Sequence, residues 1–221
     1  FAKYLMNIED ARTQMLRQQI RAWEVLDDRI LGILGRTQRE LFVPEAYRDL
    51  AFADMDIPLP HSQQMMSPKL EGRLLQSLDL KPEDSVLEIG TGSGFLTACL
   101  ANLSDSVLSV DIFSDFTIDA RKKLNQINIK NAELRTEDIF DLSETMQFDA
   151  IAVTGSIPEL DDHFIQMLRP GGRLFVIVGR TPVMEALLIT APDDGECTHE
   201  SLFETEIPSL LNTTESELFV L

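Results

Sequence analysis

Apolar residues recur at helical spacing through the first part of the chain. Leu16, Ile20 and Trp23 mark one face of a predicted helix, and a second helical run ends at Pro44. A third helix is predicted at residues 70–78. Residues 58–68 read PLPHSQQMMSP, and their prolines favour an extended loop or an edge strand over a helix.

From residue 85 onward, short apolar runs alternate with helical patterns. Strands are predicted at 85–89, 107–112, 132–135, 148–154 and 174–178, and an antiparallel hairpin at 184–190 and 202–207. Helices are predicted at 116–127 and from Pro158 to the Pro170-Gly171-Gly172 turn. Such alternation is typical of a doubly wound, mostly parallel sheet with helices on both faces. We therefore expect one α/β domain, in which residues 1–80 form a helical layer packed on a core of residues 81–221.

Composition narrows the possible partners. The 221 residues contain 19 Lys plus Arg against 37 Asp plus Glu, a net charge of −18, which disfavours nucleic acid. No apolar run reaches the ~20 residues that a membrane span needs. Two cysteines, Cys99 and Cys197, cannot build a disulfide framework. We expect a cytoplasmic protein without membrane or nucleic-acid partners, and leave monomer and dimer both open.

A glycine-rich turn follows the first strand of the predicted core. Its spacing is G-x-G-x-G, and Phe95 stands where the dinucleotide motif G-x-G-x-x-G has its third glycine. Glu88 would repel a pyrophosphate at this place and suits a cationic or zwitterionic ligand. The candidate cofactor-binding residues of this turn are Glu88, Gly90, Thr91, Gly92, Ser93 and Gly94.

Two further acids follow the next two predicted strands. Asp111 lies 21 residues after Gly90, where an acid accepts the hydroxyls of a ribose. Asp138 is placed to bond an adenine amino group. With their neighbours Ile112 and Ile139, these acids predict a nucleoside pocket at the carboxyl ends of the strands.

These residues resemble the class I S-adenosylmethionine-dependent methyltransferases, which have a Rossmann-like fold. Residues 88–94 are similar to their first motif, and residues 168–172, LRPGG, to a late one. Residues 41–45, the loop near His61 and residues 148–154 further resemble the protein-L-isoaspartate O-methyltransferase family. The resemblance implies S-adenosylmethionine as cofactor and S-adenosylhomocysteine as product. It also implies that isoaspartyl carboxylates of damaged proteins or peptides are the methyl acceptors.

The chain departs from this family in residues 60–68, which we call the acceptor loop. The family pattern G-H-G-Q-T-I-S-Q-P is here P-H-S-Q-Q-M-M-S-P. This alignment places Gln64 at the threonine and Met66 at the serine whose hydroxyl meets the acceptor. Met66 cannot donate a hydrogen bond, so Ser67 is the candidate catalytic residue only if a one-residue slip turns it inward. The resemblance implies substrate-binding roles for His61, Gln63, Gln64 and Met66.

Three hypotheses about function follow. The first is an isoaspartyl carboxyl methyltransferase. The second is a methyltransferase for another, apolar acceptor, which Met65 and Met66 suggest. The third is a regulatory protein that binds the cofactor without turnover. A dehydrogenase is disfavoured by Phe95, and no metal cluster, serine triad or reactive thiol motif appears, so no metal is expected.

Overall fold

The computed structural model describes residues 8–192 and 195–213. Helices make up the N-terminal layer: α1 (Ile8–Gln14), continued by a π-helical turn (Met15–Ile20) and a 3-10 turn (Arg21–Trp23), then α2 (Asp28–Arg36), α3 (Arg39–Phe42) and a 3-10 turn (Glu45–Leu50). Asp27 caps α2 by accepting a hydrogen bond from the Arg29 amide, and Pro44 follows α3 closely, as predicted.

The acceptor loop is extended, which confirms the prediction for residues 58–68. The two short strands β1 (Ile57–Pro58) and β2 (Gln64–Met65) pair antiparallel, and a 3-10 turn (Pro60–Ser62) joins them. The last residue of the loop, Pro68, is also the first residue of the helix α4 (Pro68–Leu78), a position that favours proline.

A mostly parallel sheet carries the core. In the described part of the chain its strands are β3 (Ser85–Ile89), β4 (Ser106–Asp111), β5 (Ala132–Thr136), β6 (Phe148–Ile157), β7 (Leu168–Arg180), β8 (Val183–Thr190) and β9 (Thr198–Glu204). Their order is β5-β4-β3-β6-β7-β8-β9. The first five are parallel, and β8 and β9 add an antiparallel hairpin. The predicted doubly wound sheet and closing hairpin are confirmed.

Three helices accompany the strands: α5 (Phe95–Ala101), α6 (Ser114–Gln126) and α7 (Asp162–Gln166). Residues of α4, α5 and α6 pack in one apolar cluster, and Phe164 of α7 packs in a second. Neighbouring residues of β3 divide between these clusters, Val86 in the first and Leu87 in the second, because side chains alternate along a strand. Both faces of the sheet are therefore covered, as a parallel sheet requires.

The prediction for residues 158–172 was wrong in its boundaries. The helix α7 begins after Asp161, whose side chain accepts a hydrogen bond from the His163 amide, so Pro158 does not open it. It ends at Gln166, and Pro170, Gly171 and Gly172 lie within the span of β7. The strand β6 runs to Ile157 because its last residues pair with β7, and this pairing delays the helix.

The second hairpin strand begins at Thr198, four residues earlier than predicted, and the tip at residues 193–194 lies outside the described residues.

Apolar residues of the helical layer, among them Ile20, Leu34 and Leu74, share one cluster with Val86 of the sheet. Within the described residues, no helix is both long enough and apolar enough to cross a membrane.

Candidate functional site

A cavity of about 950 Å³, measured with its open mouth, lies at the carboxyl ends of β3, β4 and β6. Parallel sheets commonly bind ligands at this edge, where the strand order reverses. Its walls include the glycine-rich turn after β3, the segments after β4 and β5, the acceptor loop, and residues 207–211 near the end of the described chain.

The glycine-rich turn has backbone conformations that only glycine adopts easily. Gly90 has a φ of +97°, and a Cβ there would lie 2.2 Å from Oγ1 of Thr154. Gly94 has a φ of +84°, and its Cβ would lie 2.7 Å from the Cβ of Ala120. The turn is therefore tight enough for its backbone to border the cavity, and a side chain at either position would displace it.

Glu88, in β3 just before the turn, is wholly buried. Its Oε2 accepts hydrogen bonds from the hydroxyls of Thr97 and Ser109, each at 2.5 Å. Its Oε1 has no hydrogen-bond partner among the described residues, although Glu88 lines the cavity. Burial raises the pKa of Glu88 to about 8. An unpaired buried acceptor next to a cavity fits a ligand that brings a positively charged donor.

Asp111 is the last residue of β4, and two backbone amides hold its carboxylate. Its Oδ2 accepts from the Gly92 amide at 2.9 Å, and its Oδ1 accepts from the Phe113 amide at 3.0 Å. Burial raises the pKa of Asp111, and the two amides act in the opposite direction. Each carboxylate oxygen has a further lone pair, so this rigid group is able to accept a pair of hydroxyls. Ile112 is 37% exposed and lines the cavity beside it.

Asp138 also lines the cavity, at the start of the 3-10 turn Ile139–Asp141. Its Oδ1 accepts from the Phe140 amide at 3.1 Å, and its Oδ2 accepts from Nδ2 of Asn212 at 2.6 Å. The adenine-side acid of the prediction therefore already has a partner from the end of the described chain. Ile139 is buried and lines the same wall.

The acceptor loop brings Gln63, Gln64 and Met66 to the cavity. The buried guanidinium of Arg39 fixes this wall, because its Nη2 donates to the Met66 carbonyl at 2.7 Å. The same side chain is ion-paired with buried Glu71. Burial raises the pKa of Glu71, and the paired guanidinium opposes this shift.

Ser67 is not one of the residues that line the cavity. It is the N-cap residue of α4, and its amide donates to Oδ1 of Asp56 at 2.8 Å. The strand β2 ends at Met65; the next residue, Met66, also borders the cavity, and Ser67 does not. Gly94 and His61 also lie outside the lining.

Sequence reasoning missed the wall at residues 207–211. The Ser156 amide donates to the Pro208 carbonyl at 2.9 Å, and the Leu210 amide donates to the Ser156 carbonyl at 2.8 Å. These bonds hold the segment along the end of β6. It has neither helical nor strand periodicity, so nothing local in the sequence could have assigned it to the site.

The lining is strongly acidic. Among the described residues that line the cavity, none is Lys, Arg or His, while five carry carboxyl groups: Glu71, Glu88, Asp111, Glu137 and Asp138. Such a cavity favours a ligand with positive charge and disfavours the pyrophosphate of a dinucleotide. A nucleoside that carries a sulfonium and an ammonium group matches this set of donors and acceptors.

Comparisons with known proteins agree with this chemistry. Residues 10–208 match the family model described as protein-L-isoaspartate(D-aspartate) O-methyltransferase. A protein-L-isoaspartate O-methyltransferase of Syntrophus aciditrophicus is 38% identical over 194 residues, covering 86% of this chain and 89% of that protein. The enzyme of the same name from Geobacter metallireducens is 32% identical over 198 residues, covering 89% and 92%.

The fold is also that of solved structures with this name. A putative protein-L-isoaspartate O-methyltransferase of Plasmodium falciparum, in complex with S-adenosyl-L-homocysteine, superposes with a TM-score of 0.78 at 20% identity, over 90% of this chain and 97% of that chain. A second structure of that name gives 0.77 at 20% identity, over 90% and 65%. The family match, residues 10–208, includes the helical layer and the closing hairpin as well as the parallel sheet.

Proposed function

Because this chain belongs to the protein-L-isoaspartate(D-aspartate) O-methyltransferase family, we propose that it methylates the isoaspartyl carboxylate of damaged proteins or peptides. The methyl donor is S-adenosylmethionine. The observation that supports this function best is the acidic cavity with the unpaired Oε1 of buried Glu88, beside Asp111 and Asp138 at successive strand ends.

We assign the cofactor's parts to residues by charge and hydrogen-bonding capacity. When bound, S-adenosylmethionine supplies an activated methyl group on a sulfonium. Glu88 would pair with the ammonium, and Asp111 would accept the ribose hydroxyls. Asp138 would accept the adenine amino group, with Ile112 and Ile139 against the ring. Residues 90–93 would border the cofactor with backbone, and the turn stays tight because side chains at Gly90 and Gly94 have no room.

The acceptor carboxylate needs no general base, because it is already ionised at neutral pH. The protein's contribution is to align this oxygen and to exclude water. We assign alignment to Gln63 and Gln64, whose amides are able to donate, and exclusion of water to Met66. A catalytic role for Ser67 would require its side chain to enter the cavity from the N-cap of α4.

We further propose that the protein acts in the cytoplasm and does not bind nucleic acid. A net charge of −18 opposes nucleic-acid binding. Both cysteines are free, Cys99 buried and Cys197 partly exposed, as is usual for a reducing compartment such as the cytoplasm.

The experiment is transfer of labelled methyl groups from S-adenosylmethionine to an isoaspartyl peptide, with the aspartyl peptide of the same sequence as control. We expect transfer to the isoaspartyl peptide only. Asp111→Ala should weaken cofactor affinity by at least about 1 kcal/mol. Equal transfer to both peptides, or no transfer by a protein that binds the cofactor, would contradict the proposal.

A further inference from the structure

The tip of the acceptor loop has an unusual backbone. His61 and Ser62, two successive non-glycine residues, have φ values of 58° and 57°, in the left-handed region. This conformation costs energy for residues with a Cβ, and it persists only where the surroundings hold it. The contacts of these residues therefore indicate what fixes the loop.

His61 makes those contacts with the segment that follows β4. Its ring is stacked on Phe113, with the ring centroids 3.9 Å apart and an interplanar angle of 3°. The ring of Phe116 is nearly perpendicular to that of His61, and the two ring centroids are 5.5 Å apart. Its Nε2 donates to Asp115, lying 2.9 Å from Oδ2 and 3.1 Å from Oδ1. We call these contacts of His61 with Phe113, Phe116 and Asp115 the His61 latch.

The latch joins two walls of the cavity. Phe113 and Phe116 line the cavity from the segment after β4, and Gln63 and Gln64 line it from the acceptor loop. The Phe113 amide donates to Asp111, and the Gln63 side chain donates to the His61 carbonyl at 3.1 Å. The imidazole thus connects the acceptor loop to the turn that holds the ribose acid, although it does not line the cavity itself.

We propose that His61 is a positioning residue, which holds the acceptor loop against the segment after β4 so that its lining residues keep one arrangement. The identity of the acceptor in this inference rests on the proposed function. An unlatched loop would sample open conformations, and apparent acceptor affinity would fall with the fraction of closed loop. The rate at saturating acceptor would not change, because binding selects the closed loop.

The first measurement is steady-state kinetics with the isoaspartyl peptide. We expect His61→Ala to raise the KM for the peptide about tenfold, with kcat within about twofold of wild type. His61→Phe keeps a stacking ring without the hydrogen bond and should raise KM about threefold. The control is His199→Ala, an exposed histidine of β9, which should match wild type. An unchanged KM for the peptide in His61→Ala would overturn the proposal whatever happens to kcat, because loss of folded protein lowers the apparent kcat and leaves KM unchanged.

The second measurement is amide hydrogen exchange in the protein without cofactor or peptide. We expect residues 61–65 to exchange about tenfold faster in His61→Ala than in wild type, and no change in His199→Ala. If wild type transfers no methyl group, the proposed function fails and this measurement alone decides the latch. Unchanged exchange would overturn it, and so would faster exchange with an unchanged peptide KM.

Discussion

Single residues set the electrostatics of this site. Glu88 is held by two hydroxyl groups on one oxygen, and its other oxygen has no partner among the described residues. With a pKa of about 8, its carboxyl is mostly protonated at pH 6.5 before a ligand arrives. An ammonium group next to it favours the ionised form, so ligand binding and proton release are linked.

Cofactor binding should therefore release close to one proton at pH 6.5. This pH lies well below the ordinary pKa of an α-amino group, about 7.7–8.0, so the incoming ammonium is already charged. Calorimetry in buffers of different ionisation enthalpy measures the proton count. Glu88→Gln should remove the release, whereas Glu137→Gln, another carboxyl of the lining, should preserve most of it. A wild-type protein that releases no proton would contradict this assignment.

The same pKa predicts how stability depends on pH without cofactor. The native pKa of Glu88 is raised to about 8 from 4.5, so between these values the folded state binds more protons than the unfolded state. Stability from this group is fully present below pH 4.5 and is lost as pH rises through 8, by up to about 1.4 kcal/mol per pH unit. Denaturant unfolding at pH 6, 7 and 8 should show the decline, with a shallower slope in Glu88→Gln.

Met66 lies in the acceptor loop at the position where the family pattern has a serine hydroxyl. Its carbonyl is held by Arg39, so a shorter side chain there should leave the backbone in place. Met66→Ser would add a donor to a charged acceptor, worth about 1.5–3 kcal/mol, and we expect kcat/KM for the isoaspartyl peptide to rise about tenfold or more.

The control for this change is Met184→Ser, which also truncates a buried methionine but lies outside the cavity lining. Both variants should lose thermal stability, because each removes buried apolar surface. Only Met66→Ser should gain activity. An unchanged or lower kcat/KM in Met66→Ser would show that the amides of the loop already align the acceptor.

At the scale of elements, the cavity depends on contacts between segments that are distant in sequence. Arg39 of α3 connects three of them: its Nε donates to the Ala51 carbonyl at 2.9 Å, its Nη2 to Met66 of the acceptor loop, and its Nη1 pairs with Glu71 of α4. Breaking a buried ion pair by removing one partner typically costs 3–5 kcal/mol. Arg39 therefore connects the helical layer to the acceptor loop.

The segment at residues 207–211 offers a test at this scale. A Cβ at Gly155 would lie 3.0 Å from the Leu210 amide nitrogen and 3.2 Å from its Cα, so Gly155→Ala should push the segment away from β6. We expect the peptide KM to rise several-fold, and proteolysis within residues 205–213 to become faster.

Gly32→Ala is the matched control, because a Cβ there meets no atom within 4 Å. It lies inside α2 and should stabilise the protein by up to about 1 kcal/mol. Unchanged proteolysis and KM in Gly155→Ala would mean that the wall at residues 207–211 does not act on the acceptor.

For the whole molecule, the excess of acidic residues is the main electrostatic property. Like charges on the folded surface repel one another, and a net charge of −18 makes this repulsion large. The same field attracts a cofactor that carries positive charge toward the acidic cavity. Stability and cofactor association should therefore respond to salt in opposite directions.

Added NaCl should raise the Tm, with most of the gain between 0.01 and 0.1 M, where the Debye length falls from about 30 Å to about 10 Å. Over the same range the association rate of S-adenosylmethionine should fall. Differential scanning fluorimetry and stopped-flow binding measure the two effects. A Tm that rises linearly to 1 M salt, with no early gain, would indicate a solvent effect on burial and not charge screening.

The sequence by itself determined the parts that depend on local patterns. Strand spacing, the glycine turn after β3, and the acids Asp111 and Asp138 at the strand ends indicated the sheet and a cavity at its edge, because parallel strands bring their carboxyl ends to one edge. The acceptor loop was also recognised as extended from its prolines. The start of α7 was mispredicted, since pairing of β6 with β7 overrode the local signal of Pro158.

Only the tertiary structure decided which side chains complete the site. The bond from Arg39 to the Met66 carbonyl, the latch from His61 to Phe113, and the wall at residues 207–211 each join segments separated by 27 or more positions in the chain. Such contacts leave no periodicity, because their partners are chosen by packing and by the need to satisfy buried polar groups. Tertiary contacts also hold Met66 at the cavity, through the bond from Arg39 to its carbonyl, and Ser67 at the N-cap of α4, through the bond from its amide to Asp56.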